Sequence, residues 1–303
     1  MISSMSGSDS KLLADLDRIQ ASSDKAQREM SSGLKVERPS DGPSAYAEIV
    51  DLNSKIQWNT QVQSNLGTVK AEVDTADSTL QSAVAAVENA ITLGTQGAGS
   101  LPTADQRLSL AQQVNSVLQQ LVGISTTTVA GRYIFSGDQD QSPAYSVGPD
   151  GVTRLISTPS TRQVQDLMGM SIAASMTAQD IFDHRNPDGS VAPDNVFAAL
   201  QSLQTALENN DQAGITSAMS SLQLAHDHLG GALAFYGAAQ NRVAAGLDVA
   251  QKFEIQQKAQ LSDLEDADIT EAALQVSQAQ IHQNAALSAR AQKPKSSLFD
   301  YLG

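Results

Sequence analysis

Residues 45–91 read AYAEIVDLNSKIQWNTQVQSNLGTVKAEVDTADSTLQSAVAAVENAI. Within them Ala45, Ile49, Leu52, Ile56, Val62, Leu66, Val69, Val73, Ala76, Leu80, Val84, Val87 and Ile91 follow one another in steps of three and four, interrupted at Asn59. That spacing is a helical stripe sustained over many turns. At 1.5 Å per residue such a helix is about 70 Å long, whereas a compact chain of this length would be roughly 50 Å across. The sequence therefore predicts a mainly α protein, an elongated rod of long antiparallel helices.

Composition narrows the class further. The chain has 303 residues, 41% of them hydrophobic, 17% charged and 4% aromatic, so its core must be built from aliphatic side chains and alanine. A net charge of -14 and the lack of any basic run argue against nucleic acid and anionic lipid as partners, because that binding rests on clustered Lys and Arg. Cysteine is absent, which removes disulfides, thiolate metal sites and thiol catalysis. Met1 to Ser10 carries neither the basic flank nor the apolar run of a secretory signal, and no stretch is apolar for long enough to insert in a membrane.

On the N-terminal side of the stripe, Leu12, Leu16, Ile19, Ala26 and Met30 make a weaker amphipathic helix ending at Ser31-Ser32-Gly33, with Gly33 as its cap. Pro39 and Pro43 then break the chain into a hinge in which Ser40 or Asp41 can cap the next helix. On the C-terminal side, Gly94 to Pro102 reads as a helix-to-helix loop; no strand precedes it and no Lys-Ser follows, so it is not a phosphate loop. A third helix is expected over about 103–129, with Leu108, Ala111, Val114, Leu118, Leu121 and Ile124 inward. At Gly131 the pattern turns extended, and Arg132 to Ser136 between Gly131 and Gly137 has a strand's composition. Five of the nine prolines lie in 143–193, where Pro149-Asp150-Gly151 and Pro187-Asp188-Gly189 carry turn chemistry, so residues 131–195 are expected to form a small β-rich insert.

Helical character returns over about 196–208 and again in a second long stripe from Leu222 to Leu264. A last helix, from Ile269 to Arg290, offers Leu274, Val276, Ile281 and Leu287 among many alanines and glutamines. Such a segment is marginal alone in water, so it needs the Leu12 to Met30 helix or other molecules to order. The expected organisation is a terminal helical domain (1–37 and 269–303), a helical-bundle core (38–130 and 196–268) and the insert (131–195).

No catalytic, cofactor or metal set stands out. His226 and His228, two apart on a helix, point to different faces, while His184 and His282 have no partner at ligand spacing. Asp138-x-Asp140-x-Ser142 opens like a calcium loop, but Pro143 stands where the glycine is required and Pro149 where the bidentate glutamate belongs. Glu265, Asp266, Asp268 and Glu271 read as a solvated acidic helix face.

Several of these segments together carry a resemblance. Ser31-Ser32-Gly33 followed by Arg38-Pro39-Ser40-Asp41 and Pro43 resembles the hinge after the first helix of the bacterial flagellin superfamily. Gly131-Arg132-Tyr133-Ile134-Phe135-Ser136-Gly137 is similar to the motif that opens the outer domain in the hook-filament junction branch of that superfamily. Gly237-Ala238-x-x-Asn241-Arg242, Leu264 to Asp268 and the ending Ser297-Leu298-Phe299-Asp300-Tyr301-Leu302 fit the same pattern. The resemblance implies a non-enzymatic structural subunit, exported by the flagellar type III apparatus, with or without a chaperone, and assembled outside the cell as a ring. Its implied partners are copies of itself, a hook-side junction protein and flagellin; the alternative is flagellin proper, the bulk filament subunit. It also implies an assembly interface at Leu12, Leu16, Ile19, Met30, Leu274, Ile281, Leu287, Leu298, Tyr301 and Leu302. The hinge would be Gly33, Pro39, Ser40, Asp41 and Pro43, and the insert would be entered through Gly131, Tyr133, Phe135 and Gly137.

Overall fold

The structure, a computed structural model, describes residues 3–148, 151–156 and 161–291. It is mainly α, with three small antiparallel strand pairs. Contacts divide the chain into two compact units, Met1–Trp58 with Phe253–Gly303, and Asn59–Lys252, the division falling inside the two longest helices.

In the first unit, α1 (Ser3–Ser32) ends where Gly33 adopts φ +75°, a left-handed conformation that glycine takes without strain, and donates its N–H to the Glu29 carbonyl at 2.9 Å. Leu34 then bridges Asp266, and Lys35 N–H donates to the Glu265 carbonyl at 2.6 Å. Asp41 does not cap the next helix. Its carboxylate accepts the N–H of Arg38 at 2.9 Å and of Glu37 at 3.3 Å, closing the hinge turn behind it. The Ser40 alternative is not seen either; α2 (Pro43–Ala98) starts with proline in its first turn, where a missing N–H costs nothing, and Gly42 offers its carbonyl to Tyr46 N–H at 2.8 Å. The last part of α6 (Gln212–Glu265) and α7 (Ile269–Ala291) complete this unit.

In the second unit α2 contributes Leu66, Val73, Ala76, Leu80 and Val87, all essentially inaccessible. Asn59, the gap in the stripe, is also fully buried: its Nδ2 donates to the Ala250 carbonyl at 2.9 Å, which satisfies the amide inside the core. The glycine-rich loop expected at Gly94 is shorter than its composition suggests, since α2 runs on to Ala98. Gly94 and Gly97 are close-approach positions; a Cβ on Gly97 would lie 2.4 Å from Leu207 Cδ2. Buried Arg107 satisfies the helix end, donating to the Gly97 and Gly99 carbonyls at 2.8 Å each and also bonding Asn210.

Helix α3 (Ala104–Ser125) opens with a capping box between Thr103 and Gln106 and stops four residues earlier than expected. The reason is a run of threonines: Thr126 and Thr127 return their hydroxyls to the Gly123 and Ile124 carbonyls, and Thr128 begins β1 (Thr128–Val129). On α3 the buried face includes Leu110 and Val117, whereas Leu108, expected inward, is 47% exposed. β1 pairs with β2 (Arg132–Tyr133) across Ala130 and Gly131, both at positive φ as a type I′ turn demands. The predicted strand is thus two residues long; Ile134 and Phe135 leave it for the core.

β3 (Tyr145–Gly148) and β4 (Gly151–Arg154) pair antiparallel on either side of Pro149-Asp150, with Val147 opposite Val152. β5 (Gln163–Gln165) pairs with β6 (Ser171–Ala173), and the short α4 (Ala178–Phe182) follows. The helix α5 (Val196–Glu208) has the span its periodicity predicts, and Asn210 at φ +55° turns the chain into α6. Along α6 the stripe is inward at Leu222, Ala225, Leu229, Tyr236, Val243 and Ala250, while Phe253 is 44% exposed. Ile134, Phe135, Tyr145, Ile181 and Phe182 join one hydrophobic core with α2, α3, α5 and α6, so residues 131–195 share their core with the helices.

Candidate assembly surface

Gln20 meets Gln283 at 3.4 Å and Leu34 meets Asp266, so α1 and α7 run antiparallel. Their facing residues keep heptad spacing. Leu12, Leu16, Ile19, Ser23 and Ala26 on α1 are half-buried or buried, and so are Ala272, Val276, Ala279, Gln283 and Ala286 on α7. A 3.5-residue repeat on both partners is the pattern of a coiled-coil seam. Alanine, serine and glutamine dominate it, and a buried CH2 contributes only about 0.8 kcal/mol against about 1–2 kcal/mol per residue for ordering backbone. The pair is therefore weakly held by its own seam.

The large apolar residues of α7 are elsewhere. Leu274, Ile281 and Leu287 are 57%, 62% and 52% exposed, and on α1 Leu13 and Met30 are exposed as well. The tail's four apolar residues thus divide: Val276 is half-buried in the seam, Leu274 and Ile281 lie on the opposite face, and Leu287 is exposed at the seam's flank. Leu298, Tyr301 and Leu302 lie outside the described residues. In the hinge, Pro39 and Ser40 are exposed and Gly33, Asp41 and Pro43 hold the turn and helix ends described above. At the insert entry, Gly131 and Tyr133 form the hairpin, Gly137 takes φ +58°, and Phe135 is buried against Phe182 and Tyr236, edge to face at 6.1 and 6.2 Å.

The acidic segment that ends α6 is local scaffolding. Asp268 caps α7, accepting Thr270 N–H at 2.8 Å and Glu271 N–H at 3.1 Å; the Glu271 and Thr270 amides hold its carboxyl below the usual carboxylate range. Asp140, of the calcium-like stretch, faces Arg132 and Arg162 instead of a cation site.

Two polar clusters had no signature in the sequence. Buried Asp183 accepts from Arg154 Nε at 3.2 Å, Asn195 Nδ2 at 2.8 Å and Tyr145 Oη at 3.1 Å, with Arg185 beside it. Burial alone would raise its carboxyl, but the Arg154 and Asn195 hydrogen bonds hold it below the ordinary value; burial and Asp183 push the Tyr145 phenol well up. Beside this cluster His184, Asp194 and His228 meet, from the loop after α4, the loop before α5 and the first third of α6. Positions 183, 184, 194 and 228 show no fixed spacing, so only folding reveals either group. Among the described residues no helix is long and apolar enough to cross a membrane.

Comparison with known proteins fits this architecture. Residues 4–140 match the bacterial flagellin N-terminal helical region and residues 213–302 the bacterial flagellin C-terminal helical region. Flagellar hook-associated protein 3 of Escherichia coli K12 is 28% identical over 187 residues, covering 59% of this chain and 58% of the relative. The protein of the same name from Salmonella typhimurium LT2 is 27% identical over 199 residues, covering 62% of each. This chain therefore spans about three fifths of these relatives' length. Among solved structures, flagellar hook associated protein-3 from Legionella pneumophila shares the fold, with TM-score 0.61 and 13% identity over 71% of this chain and 98% of that one. With both helical ends matched in order around an unmatched centre, the chain belongs to the bacterial flagellin superfamily.

Proposed function

We propose that this chain is a non-enzymatic structural subunit of the bacterial flagellum that joins hook to filament, assembling through its terminal helices outside the cell after export by the flagellar apparatus. The observation that carries the assembly reading is the face of α7 bearing Leu274 and Ile281, seven residues apart and opposite the seam: it stays exposed although α7 is already paired with α1. Exposed apolar stripes of this kind mark contact surfaces. The names of the relatives supply the place of assembly, and the order of flagellin-like ends around residues 131–195 supports an outward central region.

On this reading copies of the chain contact one another through the outer faces of α1 and α7, with a hook-side junction protein below and flagellin above. The test is gene deletion. Cells that keep hooks but shed flagellin into the medium, with filaments restored by the intact gene, fit the junction role. Deletion cells that keep normal filaments would sink it. Cells that keep hooks and release no flagellin would identify the chain as the filament subunit instead.

A further inference from the structure

We infer that His184, Asp194 and His228 form a binding site for a divalent transition metal of the zinc or nickel class. His184 Nδ1 lies 2.7 Å from Asp194 Oδ1 and His228 Nδ1 lies 3.2 Å from Asp194 Oδ2, so one carboxylate offers a separate oxygen to each imidazole. The three ligand atoms all fall within 4.8 Å of one another. The two rings stack at 4.9 Å with their planes 11° apart, and each turns its Nδ1 to the Asp194 carboxylate.

The decisive point is the other nitrogen of His228. Its Nε2 sits 2.7 Å from the Asp180 carbonyl, which can only accept, so Nε2 carries the hydrogen. In the neutral ring Nδ1 then presents a lone pair, and that lone pair faces a carboxylate oxygen. Two electron pairs in contact need a proton or a metal cation between them, and two imidazoles gathered on one carboxylate offer the ligand set of the second. A ring nitrogen donating to a backbone carbonyl while its partner nitrogen is free is also the arrangement that orients metal-bound histidine. Two imidazoles and a carboxylate suit a borderline metal such as zinc, with a fourth position left to water. The His184 side chain is 42% exposed, so the site is open to ions from solution. Bound metal would tie the loop of residues 183–195 to α6.

The test uses the full, untagged chain near neutral pH, titrated calorimetrically with zinc sulfate and with nickel chloride, magnesium chloride serving as control. One zinc or nickel ion per chain is expected, raising the melting temperature by roughly 5 °C at a hundredfold excess over Kd and reversed by a chelator. His184→Ala and the shape-preserving Asp194→Asn should each weaken binding by at least about tenfold, without lowering the metal-free melting temperature to the point of unfolding; if either fails to fold, His228→Gln takes its place. Undiminished binding in these variants overturns the proposal. So does a chain that ignores zinc and nickel and is instead stabilised by mild acid, the result a protonated histidine pair would give.

Discussion

Asp183 concentrates more buried polar contacts than any other side chain described in the second unit. It stands at 6% exposure between Arg154, Arg185, Asn195 and Tyr145, so a buried carboxylate is matched by two guanidinium groups that keep partial access to water. Replacing it by Asn leaves those cations without an anion, and because both are partly solvated the cost lies between that of an exposed pair, about 1 kcal/mol, and that of a buried one, about 3 kcal/mol. Asp183→Asn should therefore melt several degrees lower at neutral pH. The sign of the pH effect follows from the lowered carboxyl: its contribution is complete above the unfolded value of about 3.9 and is lost as pH falls through the folded value. The variant's stability should fall less steeply than that of the parent below about pH 4, and parallel acid branches would defeat the argument. Gly97 poses a smaller contest. Alanine gains about 1 kcal/mol of helix propensity there, but its Cβ would meet buried Leu207, and overpacking costs about 1–3 kcal/mol. Gly97→Ala should be neutral to destabilising in thermal melts, and a clear gain in melting temperature would show that Leu207 yields freely.

Helix α7 separates two jobs by face. Ile281→Glu adds a charge on the exposed side, where substitutions shift stability by about 0.5 kcal/mol or less, yet it places that charge in the proposed contact with neighbouring subunits. Monomer melting should be unchanged while incorporation into flagella fails in a complementation assay. Normal incorporation would remove this face from the interface. Sequence periodicity located the helices themselves well: α5 was legible to the residue, and α2 erred only by stopping at Gly94, because glycine reads as a breaker when its packing partner, Leu207, is unknown. Leu108 and Leu110 show the other limit, since both satisfy a helical stripe and only the neighbouring helix decides which is inside. The seam of α7 is hard to read for the same reason: alanine supplies most of it, which hydropathy does not distinguish from a neutral surface, while Leu274 and Ile281 face away. The candidate histidine site was not legible at all, since contacts between residues 44 apart carry no periodic signal.

For the chain as a whole, the outstanding question is whether residues 131–195 are a passenger on the helices or part of their core. Composition favours the passenger reading, because insertions at surface loops are usually tolerated, and on that basis replacing 131–195 with a short linker would leave the helices folded. The packing argues otherwise. Six of the chain's twelve aromatic residues lie in ring contacts within the second unit, three from 131–195 (Phe135, Tyr145 and Phe182) and three from the helices (Phe197, Phe235 and Tyr236). Tyr236 also accepts the Met176 N–H at 3.0 Å. Excision would expose Phe197 and Tyr236, each contributing roughly 1.5–3 kcal/mol when buried, against a total stability of about 5–15 kcal/mol for a domain. The linker protein should lose its helical circular dichroism at a temperature roughly 10 °C or more below the intact chain. Phe135→Ala, which leaves the chain length unchanged, should cost about 3–5 kcal/mol on its own. If the linker protein and Phe135→Ala both melt with the parent, the helices hold their core without the central region, and residues 131–195 are a separable attachment after all.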